Sequence, residues 1–514
     1  MSHTHAMGTE CKKLLGGLMA LFVLGTAGTG AREVFVDNVK GNDAWDGSEG
    51  KPYKTIQHAL LKLRTSDTLH LTPNKVPYRG PVSLDRRNNA ELGGTAEQPM
   101  VVDGHGAEIT GFRRFEADEW KDEGNGVFSM PFGSNGWMKR HWEGFDLVYF
   151  DGKPGTSVRS KPDLVPFGYL WFSGRMHPKS EADVPLNTLY IMLPEGQTPA
   201  DVVVESGSGG TMFSINANYV TVKNLKVSWS RNDGFGSAFS KGLVYENVET
   251  CFNMDQGMSH HSSIVHVRHS HFHDNAGCGI VDIRMRADAP AQSVYEHCLI
   301  ENDSYRGGIE FHDGVYTMKN CIIRNNKGPA AMVTHHMDYL PAGGEAVFEN
   351  CLFMDGGGIS VTGRTRNPKN RRSGAEFINC TFYKNGGIGI GVDLSQSKPS
   401  KIVNCAFIDP KGVVAVKQWK GPTKNLTADY NYYGGGSVVF GDKRYAFPEE
   451  WEDHKKATGL DTHSLLGTET FEDVPYCIQQ LQSKGKDGMH IGACIEWRPE
   501  DITKEVRSGE KTSR

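Results

Sequence analysis

Apolar and polar residues alternate along most of this chain in short runs broken by Asn, Asp or Gly, and apolar residues at helical spacing are rare. Alternation of period two predicts strands with one buried side. Between residues 320 and 405 the runs carry a fixed dipeptide, Asn320-Cys321, Asn350-Cys351, Asn379-Cys380 and Asn404-Cys405, at spacings of 30, 29 and 25. The same run recurs earlier around Asn224-Leu225, Asn247-Val248, His269-Ser270 and His297-Cys298, at steps of 23, 22, 28 and 23 up to Asn320. A fixed dipeptide at a drifting period means that one unit repeats while loops of variable length leave it at one corner. Each unit holds an alternating run, a polar corner residue, a second run such as Cys321-Ile322-Ile323, an Asn/Asp/Gly turn, and a third run such as Gly308-Ile309-Glu310-Phe311. Three short strands and no helix per turn predict an all-β fold, a single-stranded parallel β-helix.

The corner position suits Asn, which tolerates the left-handed turn and whose stacked amides can bond from coil to coil. The next position holds Leu225, Val248, Ser270, Cys298, Cys321, Cys351, Cys380 and Cys405, small or apolar residues that an inward stack requires. These cysteines read as core filler. Cys477 and Cys494 lie outside the repeat, where a bridge is plausible.

A strand at Glu33–Asp37, a polar loop to Gly50 and an amphipathic stretch over Pro52–Leu63 open the chain. Ile56, Ala59, Leu60 and Leu63 fall on one face, as a helix capping an open β-helix end requires. From about 112 the repeat disappears until 206, in a segment with four of the nine Trp (Trp120, Trp137, Trp142, Trp171), which reads as a small β-rich insertion. The expected divisions are a leader (1–31), the capping helix and first coils (32–111), the insertion (112–206), coils carrying a cleft (207–421), and a C-terminal cap and tail (422–514).

Lys12 and Lys13 precede an apolar stretch, Leu14–Gly28, that is short for a membrane span. With small residues before Ala31 it reads as an export signal, which places the mature protein in the periplasm or outside the cell. A formal charge of -5 provides no basic field, so nucleic acid is an unsuitable partner. A monomer is expected.

The opening strand, the polar loop and Lys54-Thr55-Ile56-Gln57 resemble the start of many secreted right-handed β-helix proteins of the pectate-lyase-like superfamily, and the Asn-Cys coils resemble its repeats. The end of the insertion, Leu189-Tyr190-Ile191-Met192-Leu193-Pro194-Glu195-Gly196, is similar to a segment of β-helix glycoside hydrolases acting on xylose- or fucose-containing glycans. The resemblance covers nearly all of the mature chain, implies a right-handed coil and carbohydrate chemistry, and specifies a fold better than a reaction.

Counting from the corners places the chemistry. Thirteen residues on stand Ser237, His260, Asp282, Glu310 and Val333; fifteen on stand Phe239, Ser262, Arg284, His312 and His335. Two residues apart on a strand means one side, so His260, Asp282 and Glu310 would form one outward column beside Arg284, His312 and His335. Carboxyl groups on adjacent strands would stand roughly 5 Å apart, the separation of a retaining glycosidase pair. Repulsion would raise one pKa while Arg284 holds the other group ionised. Tyr305, Tyr339 and Trp419 are candidate sugar platforms. Against this, outward charges on neighbouring strands are often simple ladder pairs.

His269, His271 and His273 alternate on a neighbouring face, where no matching Cys, Asp or Glu set is identifiable from sequence, and no metal site is assigned. Asp233, Asp255, Asp274 and Asp303 occupy turns; a calcium site drawn from them is the alternative to that role, and no cofactor is otherwise required. Three functions fit: a retaining glycoside hydrolase on a polysaccharide or oligosaccharide; a lyase or epimerase on uronic acids using His260, His312 or Arg284, with Asp282 and Glu310 helping to bind calcium; and a glycan-binding solenoid without chemistry.

Overall fold

Side chains that alternate on a strand have one set to bury, and in this protein they bury it inside a coil. A computed structural model describes residues 30–132, 148–158, 160–171, 188–207, 209–304, 306–337, 339–340, 343–363, 372–391, 398–410, 414–416, 424–467 and 476–502. Each coil has three faces. In one coil the first face is Gln292–Glu296, the second Leu299–Glu301 and the third Gly307–His312. Each pairs in parallel with its counterpart in the next coil, Val315–Lys319, Ile322–Arg324 and Pro329–His335. The first two faces join into a 21-stranded sheet, and the third runs as a 12-stranded sheet.

The corners are as the sequence predicts. Asn224, Asn247, His269, His297, Asn320, Asn350, Asn379 and Asn404 all have φ between 50 and 56°. Asn247 Nδ2 donates to Asn224 Oδ1 at 2.8 Å and Asn350 Nδ2 to Asn320 Oδ1 at 2.7 Å. Where histidine replaces Asn, the ladder continues by stacking: the His269 and His297 rings lie 5.0 Å apart at 12°. Just inside, Cys298, Cys321, Cys351, Cys380 and Cys405 are free, fully buried thiols. The core beside them stacks Phe353, Phe382, Phe407 and Tyr433 at centroid spacings of 5.1, 4.8 and 5.1 Å.

Both ends of the stack are closed. Helix α1 (Ile56–Leu60) buries Ile56, Ala59 and Leu60, and its cap Thr55 accepts the His58 N–H at 3.2 Å. At the far end the hairpin Ser437–Phe440/Lys443–Ala446 and helix α2 (Trp451–Thr458) bury Trp451 and His454. The chain then returns along the outside of the second face. Ile478, Leu481, Ile491 and Ile495 cover an apolar band drawn from successive coils, which includes Ile322, Leu352, Tyr383 and Ile408, and Cys477 and Cys494 are bridged.

Segment 113–206 leaves the coils as two small, mostly antiparallel sheets. Its aromatic core packs on Met254 and Ala276, at the corner between the second and third faces. The Arg231 guanidinium from that corner lies 4.2 Å from the Phe132 ring centroid. Trp137, Trp142 and residues 1–29, where an export signal is expected, lie outside the described residues.

Candidate active site on the third face

Strand register decides which side chains reach the surface. His260 pairs with Asp282, as counting predicts, but Asp282 pairs with Phe311 and not with Glu310. The coil that begins at His297 has one more residue before its third strand, where Gly307 turns at φ 85°. With a period of two, a single extra residue moves a side chain to the opposite side. The expected column of His260, Asp282 and Glu310 is therefore split, and its first two members point inward.

The inward column runs Ser237, His260, Asp282, Phe311, Val333. Ser237 Oγ is 2.7 Å from His260 Nδ1, and Tyr295 Oη–H donates to Asp282 Oδ2 at 2.9 Å. Burial pushes the Asp282 carboxyl up to about 7, against the hydrogen bonds from Ser293 and Tyr295. Burial, with His261 nearby, takes His260 down to about 3, so its ring is neutral. Asp282 and His260 are each 1% exposed, no more buried than Glu310, but their side chains point into the coil while that of Glu310 lies on its outer side. They form a polar inclusion in the core, and neither can meet a polysaccharide.

The outward side carries Ser259, Val281, Glu310, Met332 and Ser360 in one column and His261, Ile283, His312, Thr334 and Thr362 in the next. Glu310 Oε2 lies 3.1 Å from His312 Nε2 and 3.7 Å from Arg306 Nη1. His312 Nδ1 is buried without a hydrogen-bond partner among the described residues. His261 is lowered by burial and by His312, hence a neutral imidazole. At the turn leading into this face, burial raises the Asp255 carboxyl to about 6; Arg306 opposes that rise and the Glu310 charge adds to it. Asp233 is raised too, by burial and by Asp255. Three carboxyl groups thus surround one arginine.

Further along the stack the floor is bare. A side chain at Gly389 or Gly391 would meet no atom closer than 3.4 Å, which leaves room above Ser360 and Thr362. On one flank Arg284 is committed to its own loop, donating to the carbonyls of Arg286, Ala287 and Ala289 at 2.6–3.2 Å. It is a loop anchor, and Arg284 is not the expected partner of a catalytic carboxylate. Phe239 and Tyr339 are exposed on that flank, and Tyr339 Oη–H donates to Met285 O at 2.6 Å. On the opposite flank, beside the insertion, a groove of about 250 Å³ is lined by Tyr149, Phe252, Asp274, Asn302, Asn325 and Lys327.

His335 is buried, with Nε2 3.1 Å from Met337 O and 3.7 Å from Asp313 Oδ1. It belongs to the corner after the third face and does not line the cleft. Tyr305 and Trp419 lie outside the described residues. The four turn aspartates do not converge. Asp274 engages His273, Asp303 accepts from Asn275 in a buried ladder, Asp255 adjoins Glu310, and Asp233 adjoins Asp255. Counting placed Glu310 and His312 on the outer side of this face, where the structure has them, and did not place His261, Arg306 or Asp255 beside them, because parity needs the length of every turn.

Two overlapping stretches, residues 197–341 and 308–440, match the family described as right handed beta helix region, and residues 39–77 match a protein of unknown function family, DUF1565. The chain is a right-handed parallel β-helix protein. Among solved structures, the complex of XylC with xylose aligns over 85% of this chain and 86% of its own, at 12% identity and a TM-score of 0.52. Pectate lyase Pel9A aligns over 90% and 95%, at 12% identity and a TM-score of 0.47. A glycoside hydrolase aligns over 86% and 98%, at 11% identity and a TM-score of 0.42. These structural neighbours are carbohydrate-active enzymes, and at such identity the likeness is one of fold. No curated protein matches the chain in sequence. Among the described residues no helix is long and apolar enough to cross a membrane.

Proposed function

We propose that this protein is an exported glycoside hydrolase that binds a polysaccharide or oligosaccharide along its third face and cleaves it with Glu310 and Asp255. The observation that carries the reading is a carboxyl group held protonated to about pH 6, Asp255, beside a carboxylate engaged by Arg306 and His312. Carboxyl groups in unlike surroundings divide the work of acid and base. Asp255 would protonate the leaving oxygen, and Glu310 would act on the opposite side of the sugar as nucleophile or as base toward water. The bare floor at Gly389 and Gly391 admits sugar rings, and Phe239, Tyr339 and Tyr149 offer apolar faces to them.

A lyase is favoured by one feature, the neutral His261 beside His312, a base that could act on a uronate whose charge Arg306, next to Glu310, could meet. One assay separates the two. On a panel of plant and algal polysaccharides, a hydrolase releases reducing ends without near-ultraviolet absorbance, and a lyase produces an unsaturated uronate that absorbs. Glu310→Gln and Asp255→Asn should each lower kcat by at least about a thousandfold with the fold intact, as loss of an essential acid or nucleophile does. Full turnover by either variant would remove it from the mechanism. The retaining outcome expected from a 5 Å pair of Asp282 and Glu310 has lost its geometric basis, so the anomeric product is read directly by NMR.

A further inference from the structure

A second cluster lies outside the cleft, on the outer side of the second face. We propose that Glu249, Cys251 and His273 bind one divalent cation of borderline softness, with zinc preferred. Strand pairing sets Cys251 opposite His273 and Glu249 opposite His271, and residues two apart share a side. One ligand atom from each of Glu249, Cys251 and His273 lies within 4.8 Å of the other two. His273 Nε2 is 3.2 Å from Glu249 Oε1, and Cys251 Sγ is 3.9 Å from the same oxygen. Tetrahedral zinc with nitrogen, oxygen and sulfur ligands sets such atoms about 3.3–3.6 Å apart, so the cluster needs only small side-chain shifts.

The surroundings fit a metal ligand set. Asp274 Oδ2 lies 2.6 Å from His273 Nδ1, the arrangement in which a carboxylate orients a histidine and leaves Nε2 to the metal. Glu249 and Cys251 are buried, and the His273 ring stacks on His271 at 4.1 Å and meets the edge of Phe252 at 6.1 Å. Lys226 Nζ is 2.9 Å from Glu249 Oε1, but Glu108 also adjoins that lysine and can take its charge when a cation engages Glu249. Two carboxylates and a thiolate then balance the lysine and a divalent ion. Thiolate and imidazole together select zinc over calcium or magnesium, and solvent supplies the fourth ligand. The other cluster of ligating side chains among the described residues, His70, Asp103 and His105, is more exposed, and its two imidazoles already engage each other, His70 Nδ1 lying 2.8 Å from His105 Nε2.

The test uses the full chain, stripped with a chelator and titrated with Co²⁺ as probe. A thiolate-to-cobalt charge-transfer band should appear in the near ultraviolet, saturate at one equivalent and be displaced by Zn²⁺. Cys251→Ser should abolish the band, His273→Gln should weaken binding at least tenfold, and His105→Ala should leave both unchanged. Should Cys251→Ser fail to fold, Glu249→Gln is read in its place and should weaken binding at least tenfold. No band in folded wild-type protein, a band retained in Cys251→Ser, or unchanged affinity in both His273→Gln and Glu249→Gln would overturn the assignment. Hydrolase activity is not the readout, so this proposal and the cleft reading fail separately.

Discussion

A carboxyl group inside the coil stack titrates differently from one on its surface, and Asp282 is inside. Its pKa is near 3.8 in an unfolded chain and about 7 in the fold. Between those values the native state holds a proton that the unfolded state has released, so this group's contribution to stability falls as pH rises from about 4 to 7. The upper limit is about 4 kcal/mol at a little over three units. Asp282→Asn should remove that loss. Urea unfolding at pH 4, 5.5 and 7 should show the variant gaining on the wild type as pH rises, while its turnover stays within about tenfold of the wild type. A stability difference independent of pH would show that Asp282 does not hold the proton.

At the scale of one corner, two different properties of Asn are used and can be separated. Asn350 sits at φ 51°, donates to Asn320 Oδ1 and Cys494 O, and accepts the Cys494 N–H at 2.6 Å. Asn350→Ala loses both the left-handed tolerance and the amide bonds and should cost about 2–4 kcal/mol. Asn350→Gly keeps the backbone and loses only the bonds, so it should recover about 1 kcal/mol of that. Equal losses in thermal or urea unfolding would mean that the turn conformation contributes little. Inside the same coils, Phe382 stacks between Phe353 and Phe407, and Phe382→Ala should cost about 3–5 kcal/mol.

The whole molecule depends on what closes the stack. Segment 476–502 returns antiparallel to the coil order: Lys486 N–H donates to Asn404 Oδ1, Asn379 Nδ2 to His490 O, and Trp497 Nε1–H to Asn320 O. It satisfies corner amides and covers an apolar band on the second face. A chain ending at Gly467 should keep its β-helix circular dichroism, because each coil is held mainly by its neighbours. It should also melt at lower temperature and bind an apolar dye through the uncovered Leu352, Tyr383 and Ile408. An unchanged melting temperature would make the segment dispensable.

The coil and its corners were legible in the sequence because they rest on local properties: alternation, the left-handed tolerance of Asn, and small inward residues such as Cys321 and Cys351. The capping helix was legible for the same reason, from the spacing of Ile56, Ala59, Leu60 and Leu63. The face on which a polar side chain emerges was not. Asp282 and Glu310 stand on adjacent strands, yet one extra residue before Gly307 puts them on opposite sides of the sheet. Likewise His273 was visible in an alternating run, but its neighbours Glu249 and Cys251 belong to the preceding coil, and only the pairing of the coils brings them together. The alternation along each strand is local and so is readable from the residues in order, whereas the phase between strands depends on the length of every turn and is fixed only when the coils stack.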